Sequence, residues 1–160
     1  MKKITTSDLR LGNWLYDNQP KGFPMQVEGI GKDWIYLNFE ENEGDVFENT
    51  DKEIYPIKIT DRLIKSLGFK EIKECVSGKN VFRGYVLDIL VEDDGLPRLY
   101  LFYFNNKLTL RISGDYSYFD RPNNIKYVHE LQNLYHALTG KELEIKREWL
   151  RLMQRQQEQS

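Results

Sequence analysis

From Leu11 to Ile59 apolar and polar residues alternate in short runs, the period-two pattern of strands with one buried face. Leu11 to Asp17 is the first predicted strand, with Trp14 and Tyr16 on one side and Leu15 on the other. Pro20, Gly22 and Pro24 break the chain after it. Met25 to Ile30 and Asp33 to Asn38 are two more, separated by the turn Gly29-Ile30-Gly31-Lys32; in the latter strand Trp34 and Tyr36 face away from Ile35 and Leu37. Ile54 to Ile59 supplies a fourth, and Val46 and Phe47 suit a short fifth. So many short strands in so little chain predict a small antiparallel barrel of SH3-like type, closed or half closed, with an open sheet as the alternative.

The period then lengthens. Thr60 is a good N-cap, Leu63, Ile64 and Leu67 make a helical stripe, and Gly68 suits the position just past the helix, where Phe69 can fold back on its end. Residues 80–113 read as a β-meander: Val81 to Glu92, a break at Asp93-Asp94-Gly95-Leu96-Pro97, Arg98 to Phe104, a turn at Asn105-Asn106, then Lys107 to Ser113. Leu99-Tyr-Leu-Phe-Tyr-Phe104 is apolar on both faces, which marks a central strand covered by a helix. That helix is Tyr127 to Thr139, with a wide stripe of Tyr127, Val128, Leu131, Leu134, Tyr135 and Leu138, stopped by Gly140. Leu131 and Leu134 are expected against Leu99, Leu101 or Tyr103. Lys141 to Ile145 suits a short strand or a loop, and Lys146 to Gln157 a second helix.

The predicted class is therefore α+β: an SH3-like β module over 1–57, a β-meander packed by one or two helices over 58–145, and a helical tail over 146–160. In the tail Trp149, Leu150, Leu152 and Met153 bunch in little more than one turn. A helix of about a dozen residues is marginal in water without packing, so Trp149 must dock on its own domain or on another copy. The expectation is a tail that the fold does not need, extending away to contribute to a homodimer with Trp149 as its anchor.

Composition narrows the function classes. The 160 residues are 40% hydrophobic and 30% charged, ordinary for a soluble domain, and 13% aromatic, which suits a β-rich core or an adhesive surface. No apolar run reaches the roughly 18 residues of a membrane helix. The opening MKKITTSDLRLGNW lacks the apolar stretch of a secretory signal. Cys75 is the only cysteine, which excludes intramolecular disulfides and cysteine-based zinc sites. A cytoplasmic protein with no cofactor, metal or membrane association is expected. The net charge is −2, unevenly spread: residues 1–57 carry 6 Lys/Arg against 11 Asp/Glu, and residues 58–160 carry 17 against 14. Most of the acidity lies in EENEGDVFENTDKE, residues 40–53, which reads as a solvated loop.

Several groups of residues could carry chemistry. His129 and His136 lie seven apart on the predicted helix and form one polar stripe with Gln132 and Asn133. Seven residues rise about 10.5 Å, too far for both imidazoles to share a metal ion. The stripe is read as solvated or sheet-facing, with a binding face as the sharper alternative. Glu92, Asp93 and Asp94, and Asp115 and Asp120, read as turn carboxylates, because a Ca²⁺ or Mg²⁺ site needs several converging oxygens at a set spacing. Trp14, Tyr16, Trp34, Tyr36 and Phe39 are the aromatic set of the first module. Half of them must fill its small core. The rest can line a groove for a peptide or a cation, and the surrounding acidity favours such ligands over a phosphate backbone. Tyr116 and Tyr118, in the loop Asp115-Tyr-Ser-Tyr-Phe-Asp120, either cap the core or make an adaptable contact surface. Cys75 has no base beside it in sequence and is not read as a nucleophile.

Three segments carry a resemblance: Leu9-Arg-Leu-Gly-Asn-Trp-Leu-Tyr16, Pro56-Ile-Lys-Ile-Thr-Asp-Arg-Leu-Ile-Lys-Ser-Leu-Gly-Phe69 and Ile125-Lys-Tyr-Val-His-Glu-Leu-Gln-Asn-Leu-Tyr-His-Ala-Leu-Thr-Gly140. In this order and spacing, over most of residues 9–143, the chain resembles a family of small uncharacterised proteins of phages, prophages and other mobile elements of Bacteroidetes bacteria. It departs from the family pattern at His136, where Phe or a similar apolar residue is expected. The family has no established activity, so the resemblance implies a context and no mechanism. The expected function is a non-catalytic protein-binding or accessory module with an unidentified protein partner and weak or no nucleic-acid affinity. The alternative is a nucleic-acid-associated protein using Arg83, Arg98, Lys107, Arg111, Lys126, Arg147 and Arg151. An enzyme of unknown class comes third.

Overall fold

The N-terminal alternation folds into β1 (Trp14–Asp17), β2 (Pro24–Ile30), β3 (Trp34–Asn38), β4 (Val46–Glu48) and β5 (Ile54–Pro56), a 5-stranded antiparallel sheet in the order β4-β3-β2-β1-β5. The computed structural model describes residues 4–17, 22–38, 46–48, 54–76, 80–90, 98–104, 107–114, 117–123 and 125–158. Residues opposite each other in an antiparallel pair share a face, and neighbours along a strand do not. The register sets Leu15 opposite Met25 and Val27 opposite Leu37, while Trp14 lies opposite Gln26 and Tyr16 opposite Tyr55. One face is therefore aliphatic, and its Leu15, Met25, Val27, Ile35 and Leu37 are all buried. The other is aromatic, carrying Trp14, Tyr16, Trp34, Tyr36 and Tyr55. The first strand is shorter than its pattern predicts, because Leu11 and Gly12 form a turn ahead of it.

Helix α1 (Asp61–Ser66) starts and stops as its sequence dictates. Thr60 Oγ1 accepts from the Leu63 N–H at 3.3 Å. At the far end Gly68 N–H donates to Lys65 O (3.3 Å) and Phe69 N–H to Ile64 O (3.4 Å), the paired bonds of a Schellman stop. Gly68 sits at φ +86°, where a side chain would be strained. Phe69 then folds back into the core.

The second sheet is a meander of β6 (Lys70–Val76), β7 (Asn80–Leu90), β8 (Arg98–Phe104), β9 (Lys107–Gly114) and β10 (Ser117–Asn123) in the order β10-β9-β8-β7-β6. β8 is central, as its two-sided apolar pattern predicts. The outer strands β6 and β10 are not evident from the sequence pattern. An edge strand tolerates charge and proline, so Lys70, Glu71, Lys73 and Glu74 in β6 and Pro122 in β10 blur the strand signal. The segment read as the loop 115–120 thus runs largely into β10. The turns at 91–97 and 105–106, most of the acidic stretch 40–53, and Tyr116 lie outside the described residues; β8 and β9 pair up to Phe104 opposite Lys107.

Helix α2 (Val128–Thr139) packs chiefly on β1 and β7, one strand of each sheet, rather than on central β8. The chain leaving β5 decides this. Val128 N–H donates to Ile57 O (2.9 Å) and Ile59 N–H to Lys126 O (3.0 Å), which pins the start of α2 beside the end of the first sheet. Leu131 is fully buried, but Leu134 is only half-buried, so the expectation of two equivalent core leucines is corrected. Leu131→Ala is expected to cost about 2–5 kcal/mol in urea unfolding, and Leu134→Ala about half as much. Equal losses would place the helix differently.

The tail also differs from expectation. The residues before it, 141–146, take the loop alternative, and they carry buried Leu143 and Ile145 into the core. They bring α3 (Arg147–Glu158) onto β2, with Lys146 N–H donating to Ser66 O at 3.4 Å. Trp149 is 6% and Leu150 1% exposed, so Trp149 docks on its own domain and cannot anchor a dimer. No helix among the described residues is long and apolar enough to cross a membrane.

Candidate binding face of the N-terminal sheet

The aromatic face is covered at one end and open at the other. Trp14 lines a cleft of about 630 Å³ together with Leu143, Ile145 and Leu150, bordered also by Gln26 and Glu28. Trp14 and Tyr16 are buried, so both are removed from the candidate surface and belong to the core. Burial pushes the Tyr16 hydroxyl up to about 12 from its ordinary 10.0. Its stabilising contribution is whole below pH 10 and is lost as pH rises through 12, because only the neutral phenol fits the folded site. In an alkaline titration the melting temperature is expected to fall across that window. A melting temperature that stays level across the window would contradict this.

Trp34 lies at the open end. It is 43% exposed, and Tyr36 on the same face is half-buried. Gly31 N–H closes the β2–β3 turn by donating to Trp34 O at 2.8 Å, and the indole folds over that turn. A Cβ on Gly31 would collide with Trp34 Nε1, and one on Gly29 would stand 3.0 Å from Trp34 Cζ3 and 3.2 Å from Tyr36 Cβ. Two glycines thus let the ring rest on backbone. A register shift between Val27 and Gly29 makes Glu28 the extra residue of a bulge, and its carboxylate accepts from Asn38 Nδ2 at 3.1 Å. Glu28, Lys32 and Asp33 are exposed around the turn. The glycine pair reads in sequence only as a turn; its spacing just ahead of a tryptophan is the signal that points to the platform.

The polar stripe of α2 faces inward. Gln132 is 1% exposed; its Oε1 accepts from Trp14 N–H at 3.0 Å, and its Nε2 donates to Gly12 O (3.1 Å) and Leu143 O (3.2 Å). Asn133 Nδ2 donates to Asp8 O at 2.9 Å. His129 is buried and stacks on Tyr127, with ring centroids 6.0 Å apart. His136 Nε2 lies 3.7 Å from Glu142 Oε1, which also accepts from Arg10 at 2.7 Å. The stripe joins the helix to the first sheet, the sheet-facing alternative, so Gln132 and His129 leave the candidate binding surface for the interior. Tyr118 stands in β10 opposite Ser113. Among the described residues no three His, Cys, Asp or Glu side chains converge as a metal site would require. No family model matches the sequence, and neither a curated protein nor a solved structure does.

Proposed function

We propose that the chain is a non-catalytic protein-binding module, an accessory protein of a phage or other mobile element acting in the cytoplasm. The observation that carries this reading is Trp34, a large exposed aromatic held rigidly on Gly29 and Gly31 with Tyr36 beside it. Tryptophan and tyrosine are the residues on which protein interfaces most often depend. The strand order, in which β5 returns beside β1, supports reading the first sheet as a small SH3-like barrel. The mobile-element context rests on the resemblance of the three segments given above. Affinity capture from host lysate tests the function: wild-type protein is expected to retain a partner that Trp34→Ala loses by about tenfold or more, whereas Leu11→Ser, at an exposed site elsewhere, keeps it. Capture indifferent to Trp34 would remove this face from the proposal.

One observation favours nucleic-acid association as a second reading. Arg147, Arg151 and Arg155 are exposed at four-residue spacing along α3, and so lie along one side of it. Duplex DNA binding that survives physiological salt and falls on Arg151→Ala would raise it above the first.

A further inference from the structure

We propose that the Trp34 platform takes a cationic side chain, a lysine or arginine of the partner protein. The inference rests on the protein-binding reading and names the ligand of that face. The indole is packed against Gly29 and Gly31 and is still 43% exposed, so part of its π system is open to the partner. A ring face attracts a cation within about 6 Å of its centre. Because the turn already holds the ring, little ordering is needed on binding.

Charge selects the ligand. Glu28 and Asp33 are exposed around the platform, against the single exposed cation Lys32 of the same turn. β4 sets Glu48 opposite Trp34 in register. The whole segment 1–57 carries 11 acids against 6 bases. An anionic ligand would meet the wrong sign here, and a purely apolar one would leave these carboxylates without use.

The test is a titration of the intact chain followed by the indole N–H resonances of its 3 tryptophans. Buried Trp14 and Trp149 report whether the fold is intact. The probe is a glycine–serine peptide bearing several arginines; its twin carries citrulline, which keeps the shape and loses the charge. The arginine peptide is expected to shift the Trp34 resonance and to bind at least about threefold tighter than the twin. Trp34→Leu should erase that difference, and Glu28→Gln with Asp33→Asn should reduce it while leaving the ring in place. Equal binding of both peptides at Trp34 overturns the cation and leaves the face a protein contact. An arginine preference undiminished in Trp34→Leu also overturns it, since acidity alone then holds the peptide. No shift at Trp34 from either peptide overturns it too, and lysate capture indifferent to Trp34→Ala would remove this face from the protein-binding reading as well.

Discussion

A chain ended at Ile145 is expected not to fold stably. The deletion removes Trp149 and Leu150, both buried members of the core cluster. Trp149→Ala alone is expected to cost about 3–5 kcal/mol, from lost transfer energy and the cavity left behind. A domain of this kind has only about 5–15 kcal/mol of net stability, so losing two such side chains consumes most of it. Thermal melts by circular dichroism and sedimentation of the truncated chain check this. A cooperative melt close to that of the intact protein would show that α3 is dispensable after all.

Gln132→Leu is the second large effect. Leucine fills a comparable volume, so size is not the main issue; hydrogen bonding is. β5 ends at Pro56 opposite Leu15, so Trp14 N–H lies just past the last rung that β5 provides. Gln132 Oε1 takes the place of the missing strand. Leucine would leave that N–H and Leu143 O without their partner, while Gly12 O keeps Gln26 Nε2 at 3.2 Å. Each orphaned buried group costs about 1–3 kcal/mol, giving a loss of roughly 2–6 kcal/mol. Asn133→Ala, which removes one bond from a half-buried site, should cost only about 0.5–1.5 kcal/mol. Urea unfolding gives the energies, and faster exchange of the Trp14 amide would locate the defect. A stable Gln132→Leu protein with a protected Trp14 amide would mean that the glutamine does not complete the sheet.

Local features were legible because neighbours along the chain create them. Thr60 caps α1, and Gly68 with Phe69 stops it, through contacts spanning only a few residues. The strands β2, β3, β8 and β9 follow from alternation, and central β8 from its apolar residues on both sides. The need for half the aromatic set to enter the core was also legible. Which half was not: Trp14 and Trp34 have the same chemistry and share a sheet face, and only the folded chain leaves the first buried and the second exposed.

The sequence by itself determined the α+β class, the antiparallel character of the N-terminal strands, the ends of α1 and the stripe of polar residues on α2. Tertiary structure decided where that stripe points, because Gln132 meets Trp14 across 118 residues of chain and no local period encodes that encounter. It decided that Trp149 packs inward, since burial of Leu143 and Ile145 fixes where α3 begins. It also decided that the Trp34 ring lies on a turn, because the space above Gly31 exists only once β2 and β3 have paired. Pattern and propensity act within a turn or a strand, whereas burial and hydrogen-bond satisfaction are imposed by elements that meet only when the whole chain has folded.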